Sequence, residues 1–274
     1  MSRGVVVMAV TENQAQRETA AVYALFRDIF RGGLAGLLAG ILILGLGSRV
    51  VMRVVALLNP EAKGLITDNE NVVGEITLDG TLEIVIFVGI FGGLAAGVVW
   101  VIVRDWLPAG LRQRIALGGL IAAATGSFLV IESDNKDFFE LDQAEANIAM
   151  FVLLVGLTGG ATALGDAMLD RRLPSGKLSG IVYGGLAALG GVFSLPVLAN
   201  SFFFKDFCDC ERTPWLAGAF LVLAAIATVA GWSGRFTELP ARTGLALRAL
   251  GTGGVAGATL LGAVFLAREI DRIL

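Results

Sequence analysis

Residues 83–103 read EIVIFVGIFGGLAAGVVWVIV, a stretch in which Glu83, at its start, is the one charged residue. A helix needs roughly 20 mostly apolar residues to cross the hydrocarbon core of a bilayer, so this stretch is long enough to span one. The rest of the 274-residue chain agrees with it. Hydrophobic residues make up 55% of the sequence and charged residues 16%, whereas a soluble domain carries about 25% charged residues. The composition excludes a water-soluble globular protein.

Six further apolar stretches flank the first, at 32–57, 114–131, 148–168, 178–199, 215–232 and 245–267. The predicted fold is all-α, with seven transmembrane helices in a domain covering 32–274. Residues 1–31 form a separate cytoplasmic N-terminal segment. Within it, residues 12–31 place Val22, Leu25, Phe26 and Ile29 on one helical face, the pattern of an amphipathic helix lying on the inner membrane surface. The opening run Val5 to Val10 is too short for the apolar core of a signal peptide.

Orientation follows from the basic residues. With the N-terminus inside, inner segments collect 13 of the 21 Lys and Arg, and outer segments collect 17 of the 24 Asp and Glu. Seven crossings then put the C-terminus outside, in a cell membrane. A retinal protein has the opposite topology and a lysine in its last span; residues 245–267 hold none.

The chain also resembles itself. Pro108, Pro174 and Pro240 stand 66 residues apart, each after a leucine, and residues 115–174 match 181–240 at 14 of 60 positions without a gap. About five matches would come from composition alone, so a repeated unit is the better explanation. That unit has two spans. It begins near a Gly-Gly pair and ends at a Leu-Pro turn. Copies cover about 32–108, 115–174 and 181–240, with a half copy at 247–274. Proline cannot continue a helix, and it disfavours helical geometry in the residue before it. Each Leu-Pro is therefore expected to stop an inward-running helix. Small residues four apart, at Gly36/Gly40, Gly89/Gly93/Gly97, Gly156/Gly160 and Gly253/Gly257, predict close helix packing. A glycine-lined pore is the alternative reading of the same residues.

Several chemistries are excluded by what is missing. The chain has no histidine and only two cysteines. That removes Ser-His-Asp hydrolysis, a histidine-held haem or zinc site, and a four-thiolate iron–sulfur cluster from this chain alone. A net charge of −3 does not suggest a nucleic-acid partner. No cofactor and no resident metal are expected.

Arg49 and Arg53 are the best-motivated candidate site. They lie one helical turn apart in the outer half of the first span, where an ionisable residue suggests function. Snorkelling to the outer interface, or pairing with Glu75 and Glu83, is the structural alternative. The outer loop around Asp134, Asp137, Glu140, Asp142 and Glu145 forms an acidic face. It suits solvation and topology, a basic partner, or a divalent cation, which prefers oxygen ligands. Cys208 and Cys210 fall outside, where thiols oxidise; a structural or incidental role is the first reading, with an intermolecular bond or a copper(I) site as the alternatives. The segment 72–80 alternates apolar and polar residues, as a short strand or ordered lip would.

The middles of spans three to seven carry Ser and Thr hydroxyls but no charged pathway. The expected function is a non-catalytic scaffold or accessory subunit, in contact with lipid and with other membrane subunits or copies of itself. The alternative is a transporter or channel for a small solute, ion or lipid, with its path along the repeat axis.

Overall fold

The structure, a computed structural model, describes residues 3–62, 64–66, 72, 75–131, 133, 135, 143–204, 214–235 and 240–274. Nine α-helices are defined among them: α1 (Arg3–Ala39), α2 (Leu46–Leu58), α3 (Leu78–Ile84), α4 (Gly92–Val103), α5 (Leu111–Gly126), α6 (Ala144–Asp170), α7 (Lys177–Phe203), α8 (Trp215–Ser233) and α9 (Ala241–Ile273). Wide-turn π-helical segments, Gly40–Gly45 and Val85–Phe91, join α1 to α2 and α3 to α4. The result is six helical rods long and apolar enough to cross a membrane. Large apolar side chains such as Leu42, Phe87, Leu153, Val192, Val229 and Leu260 stand exposed on their outer surfaces, as contact with lipid requires. The protein is a multi-pass membrane protein.

The expected third span is the short one. α5 has 16 residues and is extended by a 3₁₀ turn, Ser127–Leu129, giving a rod of about 30 Å from about 24 Å of α-helix and 6 Å of 3₁₀. It runs antiparallel to α6, with Ile115 beside Gly160 and Gly126 beside Val155. It runs parallel to α9, with Ala124 beside Gly262 and Phe128 beside Phe265. It therefore packs lengthwise between its two longer neighbours.

Helix packing follows the glycines. An added methyl at Gly36 would lie 2.3 Å from the backbone nitrogen of Gly97, and one at Gly40 would lie 2.3 Å from the Gly93 Cα. α1 and α4 thus cross backbone to backbone, and the two π-helical segments continue that contact past Gly45 and Gly89. α5 and α6 meet in the same way, but their closest approach is at Gly159 against the Gly118 carbonyl, 2.3 Å from an added methyl, rather than at Gly156 or Gly160. On α9, Gly254 and Gly257 press on α8, and Gly253 faces open space. The core enclosed by these contacts includes Trp100, Val103, Ile121, Phe128, Phe202, Leu221 and Val255.

Three expectations change. First, residues 12–31 are not a separate surface helix, because α1 runs on unbroken from Arg3. Protein covers the inner part of this segment: Tyr23 sits over Gly180 and Phe26 over Gly184 of α7. Second, the alternating segment 72–80 makes no strand among the described residues. Val72 forms a single antiparallel bridge to Ile66, and the chain is helical from Leu78. Thr77 explains the switch, since its extended backbone and its side chain, accepting from the Gly80 N–H at 3.2 Å, form an N-cap.

Third, the helix pairs are not equivalent. α1–α2 with α3–α4, and α5 with α6, are tightly packed hairpins, but α7 touches α8 only slightly. α8 pairs with α9, and α7 lies against α1 and α4. Positions matched by the 66-residue shift accordingly differ: Gly119 presses on the Gly156 carbonyl, whereas its counterpart Gly185 meets nothing. The prolines also differ in role. Leu107 turns extended before Pro108 just after the α4 rod ends, but Pro240 stands at the N-cap of α9 and so begins a helix.

Candidate functional site

Two groups of buried charge define the candidate sites, and the sequence pointed to one of them. Arg49, on α2, is 9% exposed. Its Nε and Nη2 are buried without a hydrogen-bond partner. These two nitrogens form the side edge of the guanidinium, the edge that takes a carboxylate or phosphate in a bidentate grip. Glu83, at the start of the facing rod, is the carboxylate placed to act on it electrostatically, but it makes no ion pair with Arg49 within 4.0 Å. Arg53, Glu75 and Glu83 are all exposed. Of the four residues expected to form one site, Arg49 is the buried one, and Glu83 stands near enough to act on its charge.

Leaving a buried polar group unsatisfied costs about 1–3 kcal/mol, more for a charged one, whereas an apolar group of similar shape carries no such cost. Arg49→Met is thus expected to raise the melting temperature of the purified protein. A lower melting temperature, or loss of a co-purifying component, would show that Arg49 holds an anion in the native membrane.

The second group lies at the opposite end of the first rod and was not anticipated as a site. Asp166 on α6 is 3% exposed, and its Oδ1 accepts from Arg31 Nε at 2.7 Å and from Arg104 Nη1 at 2.9 Å. Arg104, itself 4% exposed, also donates to the Asp28 carbonyl at 2.9 Å. Arg27 reaches Asp170 at 3.0 Å and the Leu173 carbonyl, and Arg31 also pairs with Asp170. Arg235, just past α8, pairs with Asp28 at 3.0 Å. Four rods are tied together at one level of the bundle. Arg27 does a second job there, because the last carbonyls of α6 have no intrahelical partner and its guanidinium supplies one.

A smaller buried carboxylate marks the other end. Glu269 on α9 is 8% exposed, accepts from the Ser133 hydroxyl at 2.6 Å, and pairs with Arg272 at 3.0 Å. Of the expected acidic face, Glu145 stands exposed in the first turn of α6, where a carboxylate complements the helix dipole. Asp134, Asp137, Glu140, Asp142, Cys208 and Cys210 lie outside the described residues.

Buried hydroxyls complete the picture. Thr125, Thr158, Thr162, Ser194 and Thr228 each donate to the carbonyl one turn back on their own helix, at 2.7–2.9 Å. Thr228 in addition accepts from Trp106 Nε1 at 2.8 Å, fastening α8 to the end of the α4 rod.

No family model, curated protein or solved structure matches this chain.

Proposed function

We propose that this protein is a non-catalytic scaffold or accessory subunit of a membrane complex. One observation carries the reading: the interior of the bundle is filled rather than lined. Trp100, Phe128, Phe202 and Leu221 pack into one apolar core; Thr158, Thr162 and Thr228 around it bond to backbone carbonyls, and Ser127 Oγ and Trp100 Nε1 are buried without a partner. A path for a polar solute needs polar groups turned toward it. The buried Asp166 is held by Arg31 and Arg104, and these pairs fasten helices. The unpartnered edge of Arg49 favours the second reading, a transporter or channel that handles an anion.

The proposed setting is a cell membrane, with seven crossings, the N-terminus in the cytoplasm and the C-terminus outside. The excess of basic residues on the inner segments supports that orientation, and a C-terminal alkaline phosphatase fusion should be active. The 66-residue repeat is proposed as the origin of the fold, supported by the sequence matches alone. The proposed partners are other membrane subunits or further copies of the chain.

Gentle extraction from native membranes, followed by native-gel sizing and mass spectrometry, tests the function. A stoichiometric partner protein is the expected result. A clean monomer or homo-oligomer that retains an anionic solute would favour the transporter.

A further inference from the structure

At the end of the bundle that carries the Asp166 cluster, a cleft of about 790 Å³ opens between α1 and the first turns of α7. Its walls are mainly apolar. Three features at its mouth share one chemical preference. The first is the start of α7, a helix of 27 residues whose N-cap, Gly176, offers no side chain. The first backbone N–H groups of such a helix lack intrahelical partners and, with the helix dipole, favour an anion.

The second feature is Lys177, exposed in that first turn and with no ion pair among the described residues. Two other charged residues line the cleft, but both are committed elsewhere. Arg27 is bound to Asp170 and the Leu173 carbonyl, and Asp28 is bound to Arg235. Lys177 is thus the cation left to meet a ligand.

The third feature is independent of the helix terminus. Tyr183 is 8% exposed, its ring stacked on Phe30 at 4.7 Å between centroids, and it lines the cleft. Its hydroxyl makes no hydrogen bond among the described residues. Side chains on a helix tilt toward its N-terminus, and Tyr183 lies six residues, about 9 Å, beyond Lys177. The cleft is lined by both Lys177 and Tyr183.

Beyond the cleft mouth, the outer face of α7 is apolar and uncovered, with Leu178 at 77% exposure followed by Ile181, Val182 and Leu186. We infer that this cleft seats an anionic phospholipid. Its phosphate is held by Lys177, the first N–H groups of α7 and the Tyr183 hydroxyl, and its acyl chains lie along the exposed face of α7. A phosphate in free solution shares the headgroup chemistry but has no use for the apolar walls or for that face.

The full chain is reconstituted in phosphatidylcholine nanodiscs containing roughly one-fifth phosphatidylglycerol, an anionic lipid that basic sites attract. Retained phosphatidylglycerol is then counted by native mass spectrometry after release. Lys177→Glu is expected to lower retention about tenfold, and Tyr183→Phe, which keeps the stacked ring, about threefold. Arg112→Glu makes the same charge change at an exposed position on α5 and is expected to leave retention unchanged. Melting temperatures matching the unmodified protein certify that each variant is folded. Retention unaffected by Lys177→Glu overturns the site. Retention lowered by Lys177→Glu but not by Tyr183→Phe also overturns it, reducing the effect to surface charge. Displacement of the lipid by millimolar inorganic phosphate overturns the lipid as occupant in favour of a soluble anion.

Discussion

Replacing Asp166 with alanine is expected to destabilise the protein by about 3–5 kcal/mol, the range for removing one partner of a buried ion pair. The reason lies in what is left behind. Asp166 Oδ1 is the shared acceptor for Arg31 and Arg104. Arg31 keeps Asp28 and Asp170 nearby. Arg104, with a side chain 5% exposed, keeps only the Asp28 carbonyl and a carboxylate of Asp105 at 4.0 Å. A nearly bare guanidinium would then sit inside the bundle. The expected readout is a fall in melting temperature on the order of 10 °C. Asp170→Ala supplies the contrast, because Asp170 has a side chain 53% exposed and water screens its pairs, so its loss should cost under about 1 kcal/mol. Asp166→Asn, which keeps the shape and an acceptor oxygen, should fall between the two. Equal effects from Asp166→Ala and Asp170→Ala would show that the cluster is an exposed ion-pair network rather than a buried fastening.

These charges also show where sequence reasoning stops. The spans were legible because a run such as 83–103 leaves a helix few alternatives in a bilayer. The inward turn of Arg49 was legible in part, since an arginine within an apolar run is conspicuous. Asp166 and Arg104 carry the same kind of signal, single charges at the ends of apolar helices, but they read as ordinary loop charges. Whether such a residue points to water or to its neighbours depends on which rod lies beside it, and that is a tertiary fact. Glu269 was missed for the same reason. Its partner, Ser133, is 136 residues away and has no distinguishing pattern. The repeat does not reach as far as the packing. Matching Gly119 with Gly185 is sound as sequence, but α7 settled against α1 and α4 while α8 took α9 as its partner, so equivalent glycines acquired unequal neighbours.

The glycine contacts that were legible should give the second large effect. Gly40→Leu is expected to prevent folding of the bundle. A methyl at Gly40 falls 2.3 Å from both the Gly89 carbonyl oxygen and the Gly93 Cα. Carbon atoms rest at about 3.5–4.0 Å, so the deficit exceeds 1 Å before the rest of the leucine is placed. Ordinary overpacking costs about 1–3 kcal/mol because side chains can shift. Here the obstacle is backbone on a helix that meets α1 again at Gly36 with Gly97, so relief requires the two rods to separate along their whole contact. Separation would forfeit the interface that sets the depth of the first two spans. Gly33→Ala tests whether the effect belongs to the contact rather than to glycine. Nothing lies within 4 Å of a methyl at Gly33, and alanine favours a helix by about 0.8–1.0 kcal/mol over glycine. Monodisperse yield in detergent should therefore vanish for Gly40→Leu and hold or rise for Gly33→Ala. A well-folded Gly40→Leu protein would mean that the first two rods do not cross at these glycines.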